Sequence, residues 1–172
     1  MVDFFFALIA IAAAGMGGAP APEPMGSGAT MQGAVATFDP DVVPKGLEAE
    51  PQAPTGKFTT AAEVKPILQA TKANWIAVRE YGGSDLLYFT HLWSWRCGLG
   101  ALAVSINGGP MTNQPLPPCH TDFASPNAIL DTDGVPYATL GQGEVQQVTV
   151  QIVYDDLTHD VATFARGDIR IP

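Results

Sequence analysis

The sequence predicts an all-β or mainly β domain, a small antiparallel β-sandwich or barrel of about six strands with one short N-terminal helix. Three observations predict it. Residues 147–154 alternate, with Val148, Val150, Ile152 and Tyr154 apolar and Gln147, Thr149 and Gln151 polar. That period of two describes a strand with one face buried and one wet. Gly82-Gly83 parts two strand-like runs by the two residues of a tight hairpin and supplies the positive φ such a turn needs. No helical pattern falls between the later strands, which disfavours parallel βαβ units.

The folded domain is expected to span 58–172. At its start, Thr60 and Glu63 have capping-box spacing, and Val64, Ile67, Leu68 and Thr71 share one helical face. Pro66 either sits within this helix or begins a shorter one, and the helix ends near Ala73. Strands are expected at Trp75–Tyr81 and Leu86–Trp93, the second apolar on both faces like a central strand. Leu102, Val104 and Ile106 alternate with Ala103 and Ser105, and Asn107-Gly108-Gly109-Pro110 makes a turn. Residues 110–136 hold six prolines and read as a long irregular loop, which a compact domain tolerates only if something pins it. A turn at Asp155-Asp156-Leu157-Thr158 leads from the strand at 147–154 into a last strand, Asp160–Arg166.

Ahead of the domain, residues 4–14 form an apolar run of 11, the length of a secretory signal core and too short to cross a bilayer as a helix. Residues 1–21 are expected to be a signal peptide, with cleavage after Ala14, Ala19 or Ala21. The absence of early Lys or Arg and the presence of Asp3 run against this reading. The alternatives are an uncleaved membrane anchor or a cytoplasmic apolar tail. Residues 22–57 carry six prolines among Ala, Gly and Ser and read as a disordered, dispensable linker, with Met31–Phe38 a short stretch that can dock on the domain.

Net charge is −9, and no basic cluster offsets it. A general nucleic-acid binder needs a basic face to displace counterions, so that class is excluded; an anionic membrane surface is disfavoured for the same reason.

The stretches Ala73-Asn74-Trp75, Asp85 to Thr90, Trp95-Arg96-Cys97-Gly98-Leu99, Ser105 to Gly108 and Val148 to Gln151 together resemble a group of small, uncharacterised secreted proteins of alphaproteobacteria. The resemblance implies an exported domain and brings no activity and no functional residues.

Cys97 and Cys119 are the only cysteines. In an exported chain they are expected to form a disulfide, closing a loop of about 23 residues worth roughly 3 kcal/mol and pinning the proline-rich segment. A redox pair is disfavoured by their spacing, and in the cytoplasm both would be free thiols. His120 adjoins Cys119, but one Cys-His dipeptide lacks the repeated ligands of a zinc site, so no metal is expected. Asp131-Thr132-Asp133-Gly134 matches only part of a calcium loop and reads as a turn whose Asp side chains bond their own backbone. Asp155, Asp156 and Asp160 read as solvated turn residues rather than a cation site. Gly141-Gln142-Gly143 is followed by strand pattern, which excludes a dinucleotide fingerprint; no cofactor is implied.

Trp93, Trp95 and Arg96 form the candidate recognition surface. If the two indoles share a strand face and are exposed, they can stack on a glycan or a partner's apolar patch; if buried, they fill the core. Arg96 can stack on a ring or pair with a carboxylate. The expected function is a non-enzymatic binding or structural module of the cell envelope, periplasmic or secreted. Its partner would be another envelope protein met at an edge strand, or a glycan. The alternative is a small periplasmic enzyme using His91 or His120 with a neighbouring carboxylate, recognisable by a pocket in which such a pair meets.

Overall fold

The computed structural model describes residues 36–172. The expected signal peptide and the first part of the expected linker lie outside them. Among the described residues no helix is long and apolar enough to cross a membrane.

Among the described residues eight strands form two four-stranded sheets that share one core, a small β-sandwich. The first sheet holds β1 (Ala77–Tyr81), β2 (Ser84–Tyr88), β5 (Tyr137–Gly141) and β8 (Arg170–Ile171), in the order β5-β2-β1-β8. The second holds β3 (Leu99–Ile106), β4 (Thr112–Gln114), β6 (Gln147–Tyr154) and β7 (His159–Ala165), in the order β4-β3-β6-β7. All pairings are antiparallel except β1 with β8, a two-residue parallel contact. Val78 and Leu87 from one sheet meet Leu102, Val104, Val150 and Ile152 from the other in a continuous apolar cluster. The expected hairpin forms as read: Gly82 and Gly83 have φ of 60° and 80°, and Tyr81 pairs with Ser84.

Helix α1 (Ala61–Ala70) contributes Ala61, Val64 and Leu68 to the same core. Pro66 lies inside it without ending it. Pro66 and Ala62, whose carbonyl loses its helical donor, both face outward, so the missing bond stays at the surface. The Thr60 side chain caps nothing. The first helical amide, Ala61 N–H, donates instead to Asp155 Oδ1 at 2.7 Å, a cap supplied from the β6–β7 turn. Glu63 turns back to accept from Thr55 N–H, Gly56 N–H, Thr59 N–H and the Thr60 hydroxyl, binding the preceding loop to the helix. Close approach of α1 depends on Gly98: a Cβ there would sit 2.9 Å from the Thr60 carbonyl and against Val64 Cγ2.

Three expectations are corrected. The strand expected at Leu86–Trp93 stops at Tyr88, and a single helical turn, α2 (Thr90–Trp93), follows. Phe89, Leu92 and Trp93 are all buried and stand at i, i+3 and i+4, so this apolar run is helical where it was read as a central strand. β4, β5 and β8 were not foreseen; each is short or uncharacteristic in pattern and takes its place by pairing with a longer neighbour.

The domain also begins earlier than Phe58. Residues 38–57 lack long elements, yet they are bonded to the second sheet. Asp39 N–H donates to Gln151 Oε1 at 2.7 Å and Gln151 Nε2 returns a bond to the Asp39 carbonyl at 2.8 Å. Asn113 Nδ2 donates to the Val42 carbonyl, Glu50 N–H to the Asp155 carbonyl and Gln52 Nε2 to Asp155 Oδ1. Leu47 lies against Gly100, and Phe38 stacks on His159 with ring centroids 3.8 Å apart. Gln151, expected on a wet face, is therefore 2% exposed, and Ala101, Ala103 and Val153 beside it are buried too. Residues 38–57 are a covering layer, not a dispensable linker.

Burial would raise the Glu63 carboxyl, but the bonds from Thr55, Gly56, Thr59 and Thr60 outweigh it and bring its pKa from 4.5 to about 2. A carboxylate depressed on folding stabilises the domain above its unfolded pKa, and that contribution is lost as pH falls toward the folded value. Chemical denaturation from pH 6 down to about pH 2 is predicted to show stability falling below about pH 4.5. Glu63→Gln should lower stability at pH 6 and flatten the acid slope; an unchanged slope would refute the assignment.

Candidate functional site

The densest polar constellation surrounds the irregular segment between β4 and β5. Prolines give this segment few amide donors and no ladder partner, so its carbonyls need donors from elsewhere. Arg96 supplies them. A single 3-10 turn at Arg96–Gly98 turns its side chain inward, where it is 2% exposed. Nε donates to the Pro118 carbonyl at 3.0 Å; Nη1 donates to the carbonyls of Trp93 at 3.0 Å and Asn127 at 2.8 Å. Nη2 donates to the Ala128 carbonyl at 2.9 Å and to Asp133 Oδ2 at 3.3 Å. All five guanidinium N–H groups are thereby satisfied.

The neighbouring residue adds the covalent tie. Cys97 and Cys119 are joined in a disulfide with Cα atoms 4.9 Å apart, as expected from the sequence. Cys97 N–H donates to Asn127 Oδ1 at 3.0 Å, and Asn127 Nδ2 donates to the Phe58 carbonyl at 2.7 Å. A disulfide of this kind persists in an oxidising compartment.

Asp133 closes the network. It belongs to a 3-10 turn, Asp131–Asp133, and accepts from Leu130 N–H at 2.9 Å, from Arg96 and from His120 Nε2 at 2.9 Å. The Leu130 bond first, then His120, hold its carboxyl below the usual range. Because the partner is a carboxylate, Nε2 of His120 carries the proton, leaving Nδ1 as its other nitrogen. The turn reading of Asp131–Gly134 thus holds, but the importance of Asp133 was not legible, because its two partners are 13 and 37 residues away in the chain.

The candidate surface of Trp93, Trp95 and Arg96 is corrected at Trp93 and Arg96. Trp93 is 7% exposed because α2 turns it inward, and Arg96 is buried among loop carbonyls. Trp95 is half-buried and meets Phe58 edge-on at 5.3 Å. The Trp93 indole serves the core, whereas Trp95 packs against the core from outside and borders a cleft of about 240 Å³ with Phe58; of the two roles weighed for Arg96 it takes the carboxylate pairing.

The histidines are not brought together. His91 Nε2 bonds the Thr71 hydroxyl at 2.8 Å, and burial lowers its pKa, which keeps the ring neutral. His159 stacks on Phe38. Among the described residues no three His, Cys, Asp or Glu side chains assemble as a metal site. Asp155 is buried; Asp156 pairs with Lys65 at 2.7 Å, and Asp160 accepts from the Tyr154 hydroxyl at 2.8 Å.

Asp85 is a further buried carboxylate, one that no local motif marks. Arg166 grips it through two bonds, at 2.6 and 3.0 Å, and also reaches Glu80 at 2.7 Å. Val145 N–H donates to it at 3.0 Å. The Arg166 bonds hold Asp85 far below the ordinary carboxylate range against its burial. This ion pair ties β1, β2 and the end of β7 together and leaves no free acid–base group.

Several clefts open on the surface of the described residues, and two of them exceed about 300 Å³. The larger, about 620 Å³, lies beside the disulfide between Glu50–Thr60 and Leu116–Thr121. The smaller, about 400 Å³, lies where β1, β2 and α2 meet and includes His91. The histidine that meets a carboxylate and the histidine that lines this smaller cleft are therefore different residues.

Reduction of Cys97–Cys119 is predicted to destabilise the domain by roughly 3 kcal/mol. Arg96→Ala, which strips five acceptors and leaves Asp133 without its guanidinium, is predicted to cost on the order of 3–5 kcal/mol. Thermal melts with and without reductant test both; melts unaffected by either change would exclude the knot as a source of stability.

Comparison with family models, with curated proteins and with solved structures finds no match to this chain.

Proposed function

We propose that this chain is a non-enzymatic binding or structural module of the cell envelope, exported to the periplasm or secreted, and akin to the small secreted alphaproteobacterial proteins it resembles. The observation that carries the reading is the use to which the reactive side chains are put. Arg96, Asp133, Asp85, Arg166 and both cysteines are buried or bonded within structural networks that hold loops and strand ends. The disulfide favours an oxidising destination, and the apolar run at residues 4–14 supplies an export signal.

A small enzyme acting through His120 has one observation in its favour, the 2.9 Å contact with Asp133. Such a dyad needs a nucleophile or substrate proton within reach of Nδ1. Among the described residues no hydroxyl or thiol bonds that nitrogen, and the ring stands edge-on to Phe123 at 5.5 Å. The binding reading is preferred.

Expression of the full chain in a bacterial host tests export. The expected result is an envelope-fraction protein beginning at residue 15, 20 or 22, with Cys97 and Cys119 resistant to alkylation until reduced. A cytoplasmic protein with Met1 intact and two free thiols would refute it.

A further inference from the structure

The 400 Å³ cleft differs in kind from the larger one. Its base is apolar, formed by Trp75, Ile76 and Ala77, and the exposed Ile171 lines its edge. Its rim carries Asn74, Tyr88, Thr90, His91 and Ser94, and no charged side chain lines it. The volume falls within the roughly 300–1,000 Å³ of small-molecule sites.

The rim groups are also uncommitted. The Asn74 amide, Tyr88 hydroxyl and Thr90 hydroxyl make no hydrogen bond to the described residues. Ser94 Oγ donates to the Thr90 carbonyl and keeps its lone pairs, and His91 uses only Nε2, on Thr71. Elsewhere in the domain Gln52, Glu63, Asn107, Asn127 and Gln151 each bond the backbone of distant segments or loops. Beside the disulfide, in contrast, Arg96 is saturated and Thr55 and Thr60 are bound to Glu63.

Tyr88 points from the outer face of the first sheet, half-buried, with Tyr137 from the adjacent strand 5.3 Å away and tilted against it. Its ring is thereby braced for contact with an apolar surface. Neutral donors and acceptors around a braced aromatic match a ligand with many hydroxyls and one apolar face. Net charge of −9 and a neutral His91 both disfavour an anionic ligand.

We propose that this cleft binds a neutral carbohydrate, one sugar ring lying on Tyr88 with its hydroxyls meeting Asn74, Thr90, Ser94 and Nδ1 of His91. The inference rests on the binding-module reading and places the glycan away from Trp93 and Trp95.

The test is an NMR titration of the oxidised, ¹⁵N-labelled protein with maltose, cellobiose and chitobiose, and with galacturonate oligomers as anionic probes. The expected result is saturable, millimolar binding of at least one neutral disaccharide, with shifts centred on residues 74–77 and 88–94. Tyr88→Ala should weaken it about five- to tenfold and Asn74→Ala about threefold, whereas Tyr88→Phe, which keeps the ring, should retain most of it. Saturable shifts centred elsewhere would overturn the cleft while leaving an exported binding module intact. So would the absence of a saturable shift with any neutral sugar, or preference for the anionic oligomers.

Discussion

The fold depends on one buried side chain meeting the needs of one irregular segment. The chain between β4 and β5 cannot form a ladder, because prolines remove its donors and leave its carbonyls without partners. Arg96 answers with five donors from one residue, four to carbonyls and one to Asp133. Its charge is tolerated in a buried position because those carbonyls and one carboxylate surround it; removing any part would leave the rest unpaired. The disulfide at the next residue and the Asn127 bridge to Phe58 then join the segment to the sheet and to the loop ahead of α1.

The covering layer at residues 38–57 follows the same rule. Its backbone is satisfied by the sheet and its hairpin, chiefly by the side chains of Gln151 and Asn113 and by the main-chain carbonyl of Asp155. Asp155 is the joint of this region: through one carboxyl oxygen it caps α1 and holds Gln52. Both irregular regions are thus ordered by polar side chains, while the apolar core is built by the alternation of the strands and the helical spacing of α1 and α2.

That division explains what could be read from the chain. The hairpin at Gly82-Gly83, the alternation of β6 and the pairing of Cys97 with Cys119 are each specified by local pattern or by counting. The covering layer was misread because its prolines and small residues look disordered; the residue that orders it, Gln151, lies 112 positions from Asp39. Capping by Asp155 was hidden by a locally plausible Thr60–Glu63 pair. The helical turn after Tyr88 was legible in the spacing of Phe89, Leu92 and Trp93 but was masked by their continuous apolarity. Of the candidate surface, Trp93 proved internal for that reason and Arg96 because the 3-10 turn at Arg96–Gly98 directs it inward; the cleft with unpaired polar groups could not be foreseen, since it joins residues from β1, β2, α2 and β8.

Hydrogen–deuterium exchange on oxidised wild type and on Arg96→Met tests the central claim most directly. The amides of Cys97, His120, Ala128 and Leu130 each donate within or onto the segment. The account predicts that these amides exchange faster in the variant, while those of β3 and β6 keep their protection. Equal protection of the segment in both proteins, or loss spread evenly into β3 and β6, would contradict it.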